Sequence, residues 1–334
     1  MGGRVSYEKV TLPSDCVVIV TGASTGIGYE TAKNLAMMGT KVIMACRNEE
    51  KTSKAIGEMR QDLEKLRQGN TTGLQLPGEL QLHYMNLDLA SLKSTKKFIE
   101  EFKATGWPLH LLVCNAGLAL NTMELTENNH EMMFQVNYLG HYLMIEHFLP
   151  MIQRSGEDCR IILVSSIAHG NCTFVKDDIE GKNKTKDMSF KLYSNSKGYQ
   201  VMHMYSLYSR LQRRSVQNIG VFSLHPGYVQ TELARDISKV FQTINNVSRK
   251  LGISINREKG AFTTLYCSVN PDLKGKSGYY DNCKLTTPSA TTRNKEYQEI
   301  LESYTRECLK DYLPKDGEVA GYVDTYYTDR QPTC

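Results

Sequence analysis

The sequence predicts a doubly wound α/β fold, in which a mostly parallel, seven-stranded sheet is covered by helices on both faces. Two observations lead to this class. Short apolar runs recur along the 334-residue chain with helical stretches between them, and parallel strands buried on both faces have this continuous apolar character. The first run is followed at once by a glycine-rich turn and a helix, the arrangement that opens a dinucleotide-binding βαβ unit.

Seven apolar runs of strand length are predicted to form the sheet. They are residues 16–20, 41–46, 81–85, 110–114, 160–165, 220–224 and 278–281. Between these runs the spacing of apolar residues becomes helical. The stretch after residue 90 shows this, because Leu92, Ile99 and Phe102 share one helix face. Ser91 stands before this helix as its predicted N-cap.

We expect a single domain over residues 15–312, because no repeat, low-complexity block or long linker divides the chain. Residues 1–14 are expected to form an N-terminal tail. Residues 313–334 lack helical periodicity and are expected to form a C-terminal tail, for which disorder is one interpretation. Residues from about 232 to 258 carry an apolar stripe at helical spacing, which fits either a lid over a substrate cleft or ordinary core.

Composition excludes several classes of function. The chain is 40% hydrophobic with a mean hydropathy of −0.40, and no apolar run approaches the roughly 20 residues that span a bilayer, so we expect no transmembrane segment. The first residues lack the apolar segment of a secretory signal, which predicts a cytoplasmic location and leaves peripheral membrane contact open. A net charge of +4 is too small to argue for a nucleic-acid partner. The nine cysteines include no CxxC pair, which predicts reduced thiols and no metal site.

A glycine-rich turn, TGASTGIG at residues 21–28, follows the first predicted strand and opens a helix. Glycines let a backbone turn tightly and approach a pyrophosphate, and a helix N-terminus presents unpaired N–H groups to it. A purely structural turn is the alternative, but the position in a βαβ unit favours a dinucleotide site. The loop residues expected to contact the cofactor are Gly22, Ser24, Thr25, Gly26, Ile27 and Gly28.

The GxxxGxG spacing of this loop resembles the fingerprint of the short-chain dehydrogenase/reductase family, whose domain is a Rossmann fold. Further motifs that resemble the family follow in chain order: Asp88, CNAG at 114–117, Asn137, Ser165-Ser166, YSNSK at 193–197 and HPG at 225–227. The resemblance runs from about residue 17 to residue 309. The stretches most like the branch of retinol dehydrogenases and WW-domain oxidoreductases are ACRN at 45–48, NYLGH at 137–141 and TLYC at 264–267. A WW domain is not expected, because Trp107 is the only tryptophan.

The residues after the second predicted strand point to NADP(H) as the cofactor. Enzymes that bind NAD place an acidic residue there, whereas this chain has Cys46 followed by Arg47. A guanidinium can bind the 2′-phosphate of NADP in a forked, charge-assisted geometry. The alternative is that Arg47 is a solvated loop residue.

The resemblance implies the remaining cofactor contacts. Asp88 is expected at the adenine, and a helix cap is its alternative role. Asn115 is expected beside the adenosine ribose together with Ala116 and Gly117, and a turn is the alternative. The contacts expected near the nicotinamide are Pro226, Gly227, Val229 and Thr231.

Tyr193 and Lys197 are four residues apart, so on a helix their side chains share one face and can both reach the same cofactor ribose and substrate. A neighbouring ammonium and an oxidised nicotinamide would favour the phenolate, which makes Tyr193 the expected general acid/base. By resemblance, the Ser166 hydroxyl orients the substrate oxygen, as an oxyanion donor does. Asn137 is expected to hold water or backbone near Lys197 and complete a proton relay, or to be a polar helix residue that is satisfied locally.

Together these motifs predict an NADP(H)-dependent oxidoreductase that interconverts a carbonyl and an alcohol on a small lipophilic substrate, such as a retinoid, steroid, fatty aldehyde or xenobiotic ketone. One rival is a protein of the same fold that binds NADP(H) and acts through interaction or regulation without catalysis. A second rival is an isomerase or dehydratase of related families that share YxxxK, which the TGxxxGxG spacing disfavours. The family also implies a homodimer or a homotetramer.

Overall fold

The computed structural model describes residues 12–68, 77–183, 189–226 and 257–315. Its centre is an eight-stranded sheet with the strand order β3-β2-β1-β4-β5-β6-β7-β8. The strands are β1 (Val17–Thr21), β2 (Lys41–Cys46), β3 (Leu82–Asn86), β4 (Leu111–Cys114), β5 (Cys159–Val164), β6 (Ile219–His225), β7 (Gly278–Asp281) and β8 (Lys284–Leu285). All neighbours pair in parallel except β7 and β8, which confirms the predicted doubly wound, mostly parallel fold.

Helices connect the strands. They are α1 (Gly26–Met37), α2 (Glu49–Gln68), α3 (Leu92–Ala104), α4 (Met132–Phe134), α5 (Gly140–Ser155), α6 (Ser189–Arg213), α7 (Arg257–Gly260), α8 (Phe262–Val269), α9 (Ala290–Arg293) and α10 (Lys295–Cys308). Gln135–Leu139 form a π-helix between α4 and α5, and short 3-10 helices cover Ile167–Asn171 and Pro271–Leu273. Ser91 caps α3 as predicted, since its side-chain oxygen accepts a hydrogen bond from the Ser94 amide at 3.2 Å.

The central strand β1 is buried on both faces, and its alternate residues enter two separate apolar clusters. Val17 and Ile19 pack in one cluster with Phe98 of α3. Val18 faces the other side and packs in the second cluster with Leu35 of α1. This double burial is the physical reason why the strands read as continuous apolar runs and not as alternating ones.

The sheet has one strand more than the seven predicted. Each predicted strand is present, with ends that differ by no more than one residue from the prediction. The additional strand, β8, has two exposed residues and pairs antiparallel with β7 through a two-residue turn at Asn282 and Cys283. Both turn residues have positive φ, of 47° and 60°. So short and exposed a strand has no apolar run to reveal it, and Asn-Cys lacks the glycine typical of such turns.

Several predicted segments lie outside the described residues. These are residues 1–11 of the predicted N-terminal tail, residues 232–256 of the predicted lid and residues 316–334 of the predicted C-terminal tail. In the part of the chain that the structure does describe, no helix combines the length and apolar character needed to cross a membrane.

The segment between β5 and α6 is held against the helical layer by Glu180. This buried carboxylate accepts hydrogen bonds from His130 Nδ1 at 2.9 Å, from the Glu131 amide at 2.6 Å and from the Tyr304 hydroxyl at 2.5 Å. A buried carboxylate needs several donors to offset its desolvation. Glu180 therefore ties the described part of this segment, residues 165–183, to the start of α4 and to α10.

Candidate active site

The glycine-rich loop runs from the end of β1 into α1, at the point where the strand order of the sheet reverses. Gly22 and Gly26 have positive φ, of 65° and 60°, a conformation that glycine adopts without strain. A Cβ on Gly28 would lie 2.3 Å from the Gly22 carbonyl oxygen, so only glycine fits there. Thr25, the N-cap of α1, makes no side-chain capping bond. The first amides of α1 are therefore not capped by that side chain, as an anion site requires.

Thr21 joins this loop to the end of β4. Its hydroxyl oxygen accepts hydrogen bonds from the amides of Asn115 and Ala116, each at 2.9 Å. The Asn115 side chain returns the contact, because its Nδ2 donates to the Thr21 carbonyl at 2.9 Å. Asn115 thus shapes the turn, which was its alternative role, and its place beside an adenosine ribose stays a prediction.

Arg47 and Asp88 occupy the far end of the same sheet edge. Arg47 is exposed directly after β2, and Cys46 before it is buried. The Asp88 carboxylate accepts a hydrogen bond from the Ala90 amide at 3.0 Å, and the Asp88 amide donates to Ser94 Oγ at 3.0 Å. Ala90 precedes Ser91, the N-cap of α3, so the Asp88 carboxylate closes a turn before the helix and does not cap it. The expected contact of Asp88 with an adenine stays a prediction.

Tyr193 and Ser166 meet although 27 residues of sequence separate them. Tyr193 lies in α6, is 6% exposed, and shares a side-chain hydrogen bond with Ser166, which follows β5. The Ser166 side chain also accepts a hydrogen bond from the Ala168 amide at 3.2 Å, which caps the following 3-10 helix. Apolar side chains surround the phenol: Ala119, Met133, Ala168 and Leu192.

Lys197 lies one turn further along α6 and is also buried. Its Nζ donates to the Val164 carbonyl at 2.9 Å and to Gln200 Oε1 at 3.3 Å. Burial lowers the pKa of Lys197 to about 7, because a charged ammonium is disfavoured away from water.

In the protein without a cofactor, the Lys197 ammonium does not lower the pKa of Tyr193 below its ordinary value. The joint effect expected of Lys197 and an oxidised nicotinamide stays a prediction. Burial raises the pKa of Tyr193 to about 12, and the hydrogen bond with Ser166 only partly opposes this. The Lys197 Nζ lies 6.0 Å from the centre of the Tyr193 ring. An ammonium that is itself partly deprotonated at neutral pH, at this distance, does not offset the desolvation of the phenolate.

Asn137 sits in the π-helix, where an extra residue in the turn widens the helix. Its side chain is satisfied locally: Nδ2 donates to the Leu118 carbonyl and to Ser196 Oγ, both at 2.9 Å, and Oδ1 accepts from the Leu118 amide at 2.8 Å. A Cβ on Gly117 would lie 3.1 Å from Lys197 Nζ and 3.2 Å from Asn137 Oδ1. The structure therefore brings Asn137, Lys197 and the glycine of the CNAG motif together.

Three further polar residues of the site were not predicted: His141, Ser196 and Gln200. All three are buried, and each contacts Asn137. His141 lies in the NYLGH stretch and Ser196 in the YSNSK motif, so motifs could have signalled both. Gln200 was signalled only by its helical spacing, three residues after Lys197.

The predicted contacts near the nicotinamide are only partly described. Pro226 follows β6 directly. Gly227, Val229 and Thr231 lie outside the described residues.

The chain is similar in sequence to a known protein family and to several of its members. The model of the short chain dehydrogenase family matches residues 16–240. The human WW domain-containing oxidoreductase is 33% identical over 304 residues, covering 89% of this chain and 69% of the relative. Mouse retinol dehydrogenase 12 is 32% identical over 313 residues, covering 92% and 90%. The chloroplastic short-chain dehydrogenase TIC 32 B of Brassica napus is 33% identical over 300 residues, covering 86% and 88%.

Solved structures confirm the fold. An uncharacterised protein from Mycobacterium paratuberculosis superimposes with a TM-score of 0.70 at 23% identity, covering 93% of this chain and all of the other. An NADP complex of Pseudomonas aeruginosa RhlG has a TM-score of 0.58 at 18% identity, covering 83% and 98%. An NADH complex of 3-ketoacyl-(acyl-carrier-protein) reductase from Brucella melitensis has a TM-score of 0.58 at 20% identity, covering 80% and 97%. From the family match and the relatives, this chain belongs to the short-chain dehydrogenase/reductase family, in the branch of retinol dehydrogenases and WW-domain oxidoreductases.

Proposed function

We propose that this chain is an NADP(H)-dependent oxidoreductase that interconverts a carbonyl and an alcohol on a small lipophilic substrate. One observation carries the proposal: a buried tyrosine hydroxyl is hydrogen-bonded to Ser166, with Lys197 one helical turn away. Proton transfer at a carbonyl oxygen needs such a donor, a second hydroxyl to orient the oxygen, and a nearby cation to stabilise the charge.

In this mechanism Tyr193 is the general acid for carbonyl reduction. Its raised pKa keeps the phenol protonated at neutral pH, so that Oη can donate a proton to the substrate oxygen as that oxygen gains charge. Ser166 orients the same oxygen through its hydroxyl. In the reverse direction Tyr193 must start as the phenolate, the form that proton donation leaves, and it then accepts the alcohol proton. A nicotinamide cofactor, when bound, would supply or accept the hydride.

The residues at the sheet edge fit a dinucleotide. Gly28 lets the loop pack tightly against the Gly22 carbonyl, and the first α1 amides have no side-chain cap from Thr25. The exposed Arg47 and the buried Cys46, in place of a carboxylate, favour a 2′-phosphate and hence NADP(H) over NAD(H).

A lipophilic substrate is supported by apolar side chains that are exposed beside the reacting groups. Ile167, next to Ser166, is 42% exposed, and Phe190, one turn before Tyr193, is 37% exposed. Exposed apolar side chains that border a polar site favour apolar ligands. The name of the related retinol dehydrogenase 12 accords with this substrate class. As a separate point, we propose the cytoplasm as the location.

Turnover with a substrate panel tests the proposal. We would measure the oxidation of NADPH, and separately of NADH, by the purified chain with retinal, a steroid ketone and an aliphatic aldehyde. The proposal expects turnover with at least one of them, and faster turnover with NADPH. Tight NADPH binding, measured by fluorescence, without any turnover would favour the interaction protein instead.

A further inference from the structure

The main-chain carbonyl of Asn137 has no lone pair left for a water molecule. Gln200 Nε2 donates to it at 2.7 Å and His141 Nδ1 contacts it at 3.2 Å. A carbonyl oxygen offers two lone pairs, and both are therefore occupied. All three residues are buried.

The His141 contact is a donation by its ring. The Thr21 hydroxyl oxygen already accepts from two amides at 2.9 Å, so its own hydrogen must be donated. The His141 Nε2 at 2.9 Å is a nearer acceptor than the Val113 carbonyl at 3.4 Å. Nε2 thus accepts, and Nδ1 carries the hydrogen that is donated to Asn137. Burial lowers the pKa of His141 to about 4, which keeps this neutral form at physiological pH.

The amide of Gln200 can stand in only one orientation. Its Oε1 accepts from Lys197 Nζ at 3.3 Å, while its Nε2 donates to the Asn137 carbonyl. The reversed amide would set two donors against each other at Lys197 and two acceptors against each other at Asn137. Gln200 therefore bridges the two residues in the position where we expected water.

We propose that Gln200 is a positioning residue of Lys197, whose side-chain amide fixes the ammonium between the Val164 carbonyl of β5 and the Asn137 carbonyl of the π-helix. A role for this bridge in catalysis rests on the proposed function. The hydrogen bonds that form the bridge do not depend on it. Two of the three Nζ hydrogens are held by Val164 and Gln200, which directs the third away from both.

Among the described residues, few ionisable groups face Lys197. They are Tyr193 on α6 and the neutral His141 on α5, while β5 and the π-helix present neutral carbonyl and amide groups. The hydrogen bond that Lys197 donates to Gln200 is thus one of two in the described structure that stabilise the charged lysine against burial. Its removal is expected to make the ammonium easier to deprotonate.

The test is the titration of Lys197 in two variants. Protein labelled with ¹³C at the lysine Cε gives one resonance per lysine by NMR, and Lys197→Arg identifies the relevant one. Gln200→Leu keeps the volume and removes the acceptor, so the titration midpoint should fall. Gln200→Glu replaces the amide with a carboxylate, so the midpoint should rise by about one unit.

The matched control is Gln298→Leu, which makes the same change at a buried glutamine whose Nε2 donates to the Thr292 carbonyl. It should leave the Lys197 midpoint unchanged. A wild-type midpoint in either folded Gln200 variant, or shifts in the same direction in both, would overturn the proposal. The NMR titration needs no turnover, so a chain without oxidoreductase activity would defeat the proposed function and leave this test intact. If both hold, the pH dependence of kcat moves in the same direction as the midpoint.

Discussion

Burial shifts the pKa values of the two central ionisable residues of the site in opposite directions. It raises the pKa of Tyr193 to about 12 and lowers that of Lys197 to about 7. In both cases burial disfavours the charged form of the side chain. The charged form is the phenolate for Tyr193 and the ammonium for Lys197. At neutral pH the site therefore starts with a protonated phenol, which suits a proton donor to a carbonyl.

Arg47→Glu is the substitution that tests cofactor preference at the residue scale. A carboxylate at this exposed position repels a 2′-phosphate and can accept a hydrogen bond from a ribose hydroxyl. We expect the affinity for NADPH to fall by about tenfold or more, as the loss of one charge-assisted hydrogen bond implies, and NADH binding to be kept or improved. Fluorescence titration with each cofactor measures this.

The control for this substitution is Arg154→Glu, which changes an exposed arginine in the last turn of α5. It makes the same change in net charge and should leave the ratio of the two affinities as in the wild type. An unchanged ratio in Arg47→Glu would remove Arg47 from the cofactor site.

Among individual residues, the sequence predicted those site residues that belong to a recognisable motif. Tyr193, Lys197 and Ser166 were predicted together and the structure joins them. Gln200 belongs to none of the motifs used, and His141 closes the NYLGH stretch without a role having been predicted for it. Their role depends on how α6 crosses the π-helix, a tertiary arrangement that spacing within one helix does not contain.

At the element scale, the cap of α3 gives a direct test of local structure. Ser91→Ala removes the acceptor for the Ser94 amide and should lower the free energy of unfolding by about 1 kcal/mol. Ser91→Thr keeps the acceptor and should lose less. Urea unfolding measures both, and equal stability of wild type and Ser91→Ala would show that this cap contributes nothing.

Regular elements were predicted more fully than the irregular ones. Apolar runs in the sequence predict buried strands, and the ends of these strands were predicted to within one residue. The π-helix at Gln135–Leu139 was not predicted, since one extra residue in a turn leaves the helical pattern almost unchanged. The short hairpin strand β8 was missed because neither of its residues is buried.

At the scale of the whole molecule, buried histidines predict how stability depends on pH. Burial lowers the pKa of His141 to about 4 and of His203 to about 3, and it lowers that of His225 as well. Below about pH 6.5 the unfolded chain takes up protons at these residues while the folded chain does not, so stability falls as the pH falls. Glu131 acts in the opposite sense, because burial raises its pKa to about 7.

His203→Phe tests this dependence. Neither ring nitrogen of His203 has a hydrogen-bond partner among the described residues, and the ring centre lies 4.6 Å from that of Tyr142. A phenyl ring keeps the aromatic contact and removes two unsatisfied polar atoms, so we expect a gain of about 1 kcal/mol at pH 7. The loss of stability between pH 7 and pH 5 should be smaller by about 2 kcal/mol. Urea unfolding at both pH values measures this.

The control for the histidine prediction is His83→Phe, at a half-buried ring that packs at a tilt against Trp107. Its effect on the pH dependence should be smaller, because the His83 ring keeps contact with water. A His203→Phe variant with the same pH dependence as the wild type would contradict the assignment.

Oligomeric state, peripheral membrane contact and cytoplasmic location are also properties of the whole molecule, and they stay predictions. The family is shared by a relative whose name places it in the chloroplast, so membership alone does not decide location. Size-exclusion chromatography with light scattering separates the monomer from the predicted homodimer or homotetramer.

The central claim is that Tyr193 transfers the proton in a reaction driven by NADP(H). The most direct measurement is NADPH oxidation by Tyr193→Phe beside the wild type, with the substrate of the panel that reacts fastest. We predict that the phenyl ring, which fills the same apolar cluster, preserves folding and NADPH binding and lowers kcat by about a hundredfold or more. Wild-type turnover in Tyr193→Phe would contradict it.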